Sequence, residues 1–109
     1  MKHVWLVAIA MLAAAPLAWA EEPLVKLTIK DHRFVPASVN VPAGVRLRLD
    51  VLNLDATAEE FESDGLHAEK LVAGGGHSIV RVGPLKPGSY RFGAEYHPEA
   101  AGELVAVAP

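Results

Sequence analysis

Apolar and polar residues alternate along most of the chain with a period of two, and helical periodicity is almost absent. Val25, Leu27 and Ile29 alternate with Lys26, Thr28 and Lys30. Val45, Leu47, Leu49 and Val51 alternate with Arg46, Arg48 and Asp50. Each pattern predicts a half-buried strand with one face toward a core. Between them, Val39 and Val41 run into Pro42–Ala43–Gly44, where proline fixes φ and glycine permits positive φ, so the chain turns. Further strands are expected at Glu60–Glu62, Lys70–Val72, Ser78–Val82, Tyr90–Phe92 and Glu103–Val107, separated by Gly74–Gly75–Gly76, Gly83–Pro84, Pro87–Gly88 and Gly102.

About seven or eight short strands with turn signals between them imply an antiparallel sandwich or barrel. The polar stretch Asp55–Gly65 is expected to contain a loop, and Asp64–Ala73 leaves room for a helical turn. In Leu85-x-Pro87-Gly88-x-Tyr90 the spacing resembles a tyrosine corner, whose hydroxyl bonds back to the backbone; a tyrosine that merely follows a turn fits as well. The three glycines 74–76 are read as a turn, because no Gly-Lys-Ser/Thr or helical segment follows to make a phosphate loop.

The amino terminus breaks the pattern. Lys2 and His3 precede Val4–Ala20, which carries no charge, and Glu21–Glu22 follow. A basic start, an apolar run and the small-x-small site Ala18–Trp19–Ala20 predict a secretory signal peptide over residues 1–20, leaving residues 21–109 as one domain. The competing reading is an uncleaved anchor. A spanning helix needs about 20 apolar residues, and this run is shorter and broken by Pro16. With the signal removed, no membrane span is expected.

Composition then narrows the chemistry. The 109 residues include 10 Lys+Arg, 13 Asp+Glu, five His and no Cys. Disulfides and thiolate metal sites are excluded. The mild acidity and the lack of a clustered basic face give no support to nucleic acid as a partner. Met1, Met11, Trp5 and Trp19 all fall in the predicted leader, so the exported domain has no Cys, Met or Trp. No Gly-x-Ser-x-Gly nucleophile is present.

The segment Gly88–Val107, with Phe34-x-Pro36, Val41–Gly44 and Asn53-Leu-Asp55 upstream, resembles the cupredoxin superfamily over essentially the whole exported domain. It is similar above all to the EfeO-type cupredoxin-like domain of bacterial periplasmic iron-uptake systems. The resemblance implies a Greek-key antiparallel β-sandwich and periplasmic localisation. A blue-copper cupredoxin holds its metal with two imidazoles, a thiolate and a weak thioether. On this chain those positions fall at Glu59, Ala94, His97 and near Ala100 or Ala101. One ligand of the four remains, and without a thiolate the chain is not a blue-copper electron carrier.

Carboxylates stand nearby instead. Alternation turns Glu59 and Phe61 inward and Glu60 and Glu62 outward, so Glu59, Glu95 and His97 are the expected metal ligands, with Glu62 or His67 auxiliary. His77 after the glycine turn and His32 beside Asp31 and Arg33 read as surface residues. Carboxylate with imidazole suits iron, manganese, zinc or copper(II) rather than copper(I). The resemblance favours iron, with ferrous oxidation or ferric hand-off beside a periplasmic or inner-membrane iron-uptake component. Two other readings stay open: a metal-free module that docks a partner through its acidic face, and a copper(II)-buffering protein.

Overall fold

The computed structural model describes residues 2–4 and 22–109, so the predicted leader lies, apart from 2–4, outside the described residues. Nine strands follow: β1 Leu24–Lys30, β2 Arg33–Val35, β3 Ser38–Pro42, β4 Leu47–Asn53, β5 Glu59–Ser63, β6 Ala68–Val72, β7 His77–Val82, β8 Gly88–Ala94 and β9 His97–Val107. All the predicted strands are present, and the short β2 is additional. No helix occurs among the described residues, so none there is long and apolar enough to cross a membrane.

The strands form a sandwich of a four-stranded sheet, β2-β1-β4-β7, and a five-stranded sheet, β3-β9-β8-β5-β6. Both sheets are mixed, which corrects the purely antiparallel expectation: β1 pairs parallel with β4, and β3 parallel with β9. The reason is the path of the chain. After the β1–β2 hairpin it crosses to the second sheet for β3 and returns for β4, so β4 enters beside β1 in the same direction. Parallel and antiparallel strands share one side-chain period, so alternation alone does not distinguish them.

The inward positions are the ones the alternation marks. Leu27, Ile29, Leu47, Leu49 and Val51 from the first sheet meet Phe61, Val72, Phe92 and Leu104 from the second. Phe34 and Phe92 cross edge to face at 4.8 Å, and Phe61 lies 5.4 Å from Phe92. Offset and edge-to-face aromatic pairs add to the burial term. Gly102, opposite Phe92 on β9, leaves room for that ring, because a Cβ there would stand 2.5 Å from it.

The turns follow the same economy. Asp64–His67 is a tight turn closed by His67 N donating to Asp64 O, so β5 and β6 are a hairpin and no helical turn forms. Tyr90 Oη donates to Lys86 O at 2.7 Å, the bond of a tyrosine corner. Gly74 packs so closely on the loop after β4 that a Cβ would lie 2.1 Å from Ala56 O. The glycine turn is therefore a backbone-to-backbone contact that steadies the loop carrying Asp55.

Candidate metal centre

Three elements bring donor groups to one end of the sandwich. Glu59 is the first residue of β5 and points inward, 2% exposed. His97 is the first residue of β9, directly after the β8–β9 turn and beside a register shift at Gly93/Ala94. Irregularities of this kind re-aim side chains next to functional sites. His32 sits in the two-residue turn between β1 and β2. Each of these three brings a ligand atom within 4.8 Å of the others.

The carboxylate of Glu59 is fully engaged. Its Oε1 accepts the backbone N–H of Glu60 at 3.1 Å and of Tyr96 at 3.0 Å, while Oε2 is hydrogen-bonded to His97 Nδ1. The two imidazoles stack with ring centroids 3.6 Å apart and planes 15° from parallel. One carboxylate oxygen and two ring nitrogens thus converge. This donor set suits a divalent first-row metal and leaves coordination positions open, since three protein ligands do not complete a tetrahedral or octahedral shell.

Asp55 stands behind His32. Its Oδ1 accepts Asp31 N at 2.8 Å and its Oδ2 accepts His32 N at 2.9 Å. The bond from His32 N is the main cause that holds the Asp55 carboxyl below its ordinary value; the bond from Asp31 and the charges of His32 and His97 add to it, and burial partly opposes them.

The structure separates the expected ligands into two groups. Glu59 and His97 lie together, as the alternation and the resemblance imply. Glu62 and Glu95 do not join them: they face outward, with Glu69 opposite Glu62 on β6. His67 lies at the tip of the β5–β6 turn with φ 52° and is also outside the cluster. Of the positions that the resemblance gives to thiolate and thioether, Ala94 and Ala100 are buried methyl groups and Ala101 is exposed. His77 is exposed, as expected, and pairs with Asp50 at 2.8 Å.

His32 is the member of this cluster that the sequence reading missed. As a turn residue it was legible; its neighbour across space was not, since 65 residues of chain separate it from His97. One signal was present, the Asp-His pair in a two-residue hairpin. Such turns require positive φ at both positions and favour Asn-Gly, so a histidine held there (φ 58°) marks an unusual demand.

The outward acids carry a separate electrostatic consequence. Glu62 is pushed up to about 7, first by its hydrogen bond with Glu95, then by burial and by the charges of Glu95, Asp64 and Glu69. Glu60 is raised as well, by burial and by Glu69. A carboxyl raised above its unfolded value of about 4.5 binds its proton more tightly when folded. That contribution is complete below about pH 4.5 and is lost as pH rises through about 7. Glu62→Gln keeps the hydrogen bond without the charge. Its melting temperature is expected to exceed the wild type's at pH 8 and to match it at pH 4; an offset that does not change with pH would contradict this origin.

Comparison with known proteins accords with this architecture. The family model described as "Cupredoxin-like domain" matches residues 3–106. The chain belongs to the cupredoxin-like domain family. An uncharacterised protein of Rickettsia prowazekii (strain Madrid E) is 45% identical over 83 residues, which span 76% of this chain and 66% of that protein. Among solved structures, the metal-binding domain of the Cu(I)-exporting P-type ATPase CopA of Streptococcus pneumoniae, solved with Cu(I), superposes with a TM-score of 0.66 at 12% identity, covering 77% of this chain and 84% of that one. A purple cupredoxin from Nitrosopumilus maritimus gives 0.59 at 15% identity, covering 76% and 99%. Amicyanin from Paracoccus versutus gives 0.61 at 14%, covering 81% and 83%. At these identities the structural likeness concerns the fold alone. This cupredoxin-like domain therefore shares its sandwich with copper-binding proteins, while its own convergent donors are two histidines and a glutamate.

Proposed function

We propose that this chain binds a transition-metal ion, iron foremost, through His32, Glu59 and His97, and that it acts outside the cytoplasm in iron uptake as a binding or hand-off protein. The observation that carries the reading is the convergence of two imidazoles and one carboxylate within 4.8 Å, among described residues that include no cysteine or methionine. Two histidines with one carboxylate and open positions form a donor set well suited to non-haem iron. An anionic oxygen ligand favours the more highly charged ion, so the set stabilises Fe(III) over Fe(II). The resemblance to EfeO-type domains and the predicted leader support an iron-uptake setting in the periplasm.

Iron enters this proposal as cargo. His32 borders a surface depression of about 300 Å³ lined also by Asp31, Asp55, Ala56 and Thr57. If the chain assists ferrous oxidation, the electron released passes to an acceptor on a partner; the described residues include no cysteine to take it.

The test is calorimetric titration of the mature protein at neutral pH with Fe(II) under anaerobic conditions, Fe(III), Cu(II) and Zn(II). Saturable binding of about one equivalent of iron is expected, and it should disappear in the Glu59→Gln/His97→Ala double variant. Absence of saturable binding to every ion sinks the metal reading. Binding of Cu(II) with none of iron instead supports copper(II) buffering. The outward cluster of Glu60, Glu62, Glu69 and Glu95 favours a second reading, an acidic docking face; retention of a partner by the double variant, with loss on substituting those four, distinguishes it.

A further inference from the structure

The turn that delivers His32 is held from outside itself. Asp31 and His32 have φ of 52° and 58°, a left-handed conformation that L residues other than Asn and Asp seldom adopt. Both of their amides donate to one carboxylate, Asp55, at 2.8 and 2.9 Å. The same carboxylate lies 3.5 Å from Nδ1 of the His32 ring, an electrostatic contact that favours a hydrogen on that nitrogen. Asp55 is in turn fixed by buried polar structure. Its N–H donates to Asn53 Oδ1 at 3.0 Å, and its carbonyl accepts Gly75 N at 2.9 Å. Asn53, fully buried at the end of β4, donates to Thr57 O at 2.8 Å and to Val72 O at 3.3 Å.

A metal-binding imidazole has one nitrogen for the metal and one for a partner, and the partner sets tautomer and ring orientation. We propose that Asp55 is the positioning residue of this centre: it holds the β1–β2 turn in its left-handed form and keeps the His32 hydrogen on Nδ1, so that Nε2 is the nitrogen offered toward Glu59 and His97. This rests on the metal-binding reading above. Asp55 is not itself among the converging donors; it acts through His32. Glu59 does the corresponding work for the backbone at Tyr96, so each half of the site is organised by one carboxylate.

Three variants separate positioning from simple turn stability. Asp55→Asn keeps one acceptor for the turn amides but loses the charge. Asp55→Ala removes both acceptors. Asp55→Ala combined with Asp31→Gly restores the ease of positive φ without restoring the partner of Nδ1. Two readouts are used: long-range nitrogen–proton NMR of the His32 ring in metal-free protein, and Fe(II) and Zn(II) titration. The wild type is expected to carry the hydrogen on Nδ1. In Asp55→Ala and in the double variant the hydrogen should redistribute toward Nε2, and affinity should fall by about 10–100-fold, the range for loss of a ligand's outer partner. Asp55→Asn should fall between. A wild-type His32 with its hydrogen on Nε2, or a double variant that binds as tightly as the wild type, overturns the proposal. A wild type that binds no metal overturns the reading of the site, and the tautomer measurement, which needs no metal, still decides for or against Asp55.

Discussion

Glu59→Ala is expected to cost this domain about 3 kcal/mol of stability, because it strands groups that the folded chain keeps out of water. The carboxylate is 2% exposed and accepts two backbone N–H groups while bonding His97. Removing it leaves the amides of Glu60 and Tyr96 without that acceptor and leaves a void beneath the β8–β9 turn. Breaking a fully buried pair costs about 3–5 kcal/mol, and His97 reaches solvent on one side, so the low end of that range applies. For a domain of this size the melting temperature should drop by roughly 12–24 °C. Glu59→Gln gives the contrasting result. Its amide oxygen still accepts from the backbone, so stability should change by only about 1 kcal/mol. Metal affinity should nonetheless fall by more than about 100-fold, since an anionic ligand contributes at least as much as the outer partners whose loss costs up to that factor. Urea denaturation beside metal titration reads both. A Gln variant that binds like the wild type would remove Glu59 from the centre, and an Ala variant as stable as the wild type would show that the buried carboxylate is dispensable to the fold.

The second large effect is expected at Phe61, two residues along the same inward face of β5. Phe61 is wholly buried and packs against Phe34 and Phe92, with ring centroids 6.2 and 5.4 Å away. Its register partner is Ala94, whose small side chain makes space for the ring. Phe61→Ala removes the ring from the centre of this cluster and leaves a cavity that neighbouring strands cannot close, at a cost of about 3–5 kcal/mol. Small domains are stable by only about 5–15 kcal/mol, so this one change removes a large share. Phe61→Leu, which refills most of the volume, should cost less than about 1.5 kcal/mol if the core repacks. Equilibrium unfolding of the two variants checks the ordering. Equal, small losses would mean that the aromatic cluster is not where the core is tightest. Because β5 also carries Glu59, the Ala variant should weaken metal binding even where most of the protein remains folded.

The strands were legible because a half-buried strand writes its burial into a period of two. Val25–Ile29, Leu47–Val51 and Glu59–Phe61 each show which side chains enter the core without any knowledge of their partners, and burial in the structure follows that alternation. The tyrosine corner was legible as one of two readings of the spacing, and the local bond from Tyr90 to Lys86, four residues apart, decides for it. Local spacing also exposed Glu59 as an inward carboxylate, an expensive thing to bury and therefore informative.

The rest of the site was not legible in this way. Glu62, Glu95 and His67 are near Glu59 or His97 in sequence, yet they stand outside the cluster that those two form with His32. Glu62 lies on the opposite face of β5 from its neighbour Phe61, and Glu95 is exposed. His32 lay far off in sequence and proved to be stacked on His97. The parallel pairing of β1 with β4 has the same character, since pairing is settled by where the chain crosses between sheets.

By itself, the sequence determined that this chain forms short alternating strands, that residues 21–109 lack every sulfur ligand, and that Glu59 faces inward on its strand. Those are properties of composition and of spacing within a few residues, where backbone geometry leaves little choice. Only the tertiary structure decided that His32 joins Glu59 and His97, that Asp55 accepts the amides of its turn, and that the acids of β5 divide between the core and an outer face. Each of these depends on contacts across 20 to 65 residues of chain, and long-range contacts are selected by packing of the whole sandwich rather than by any local preference.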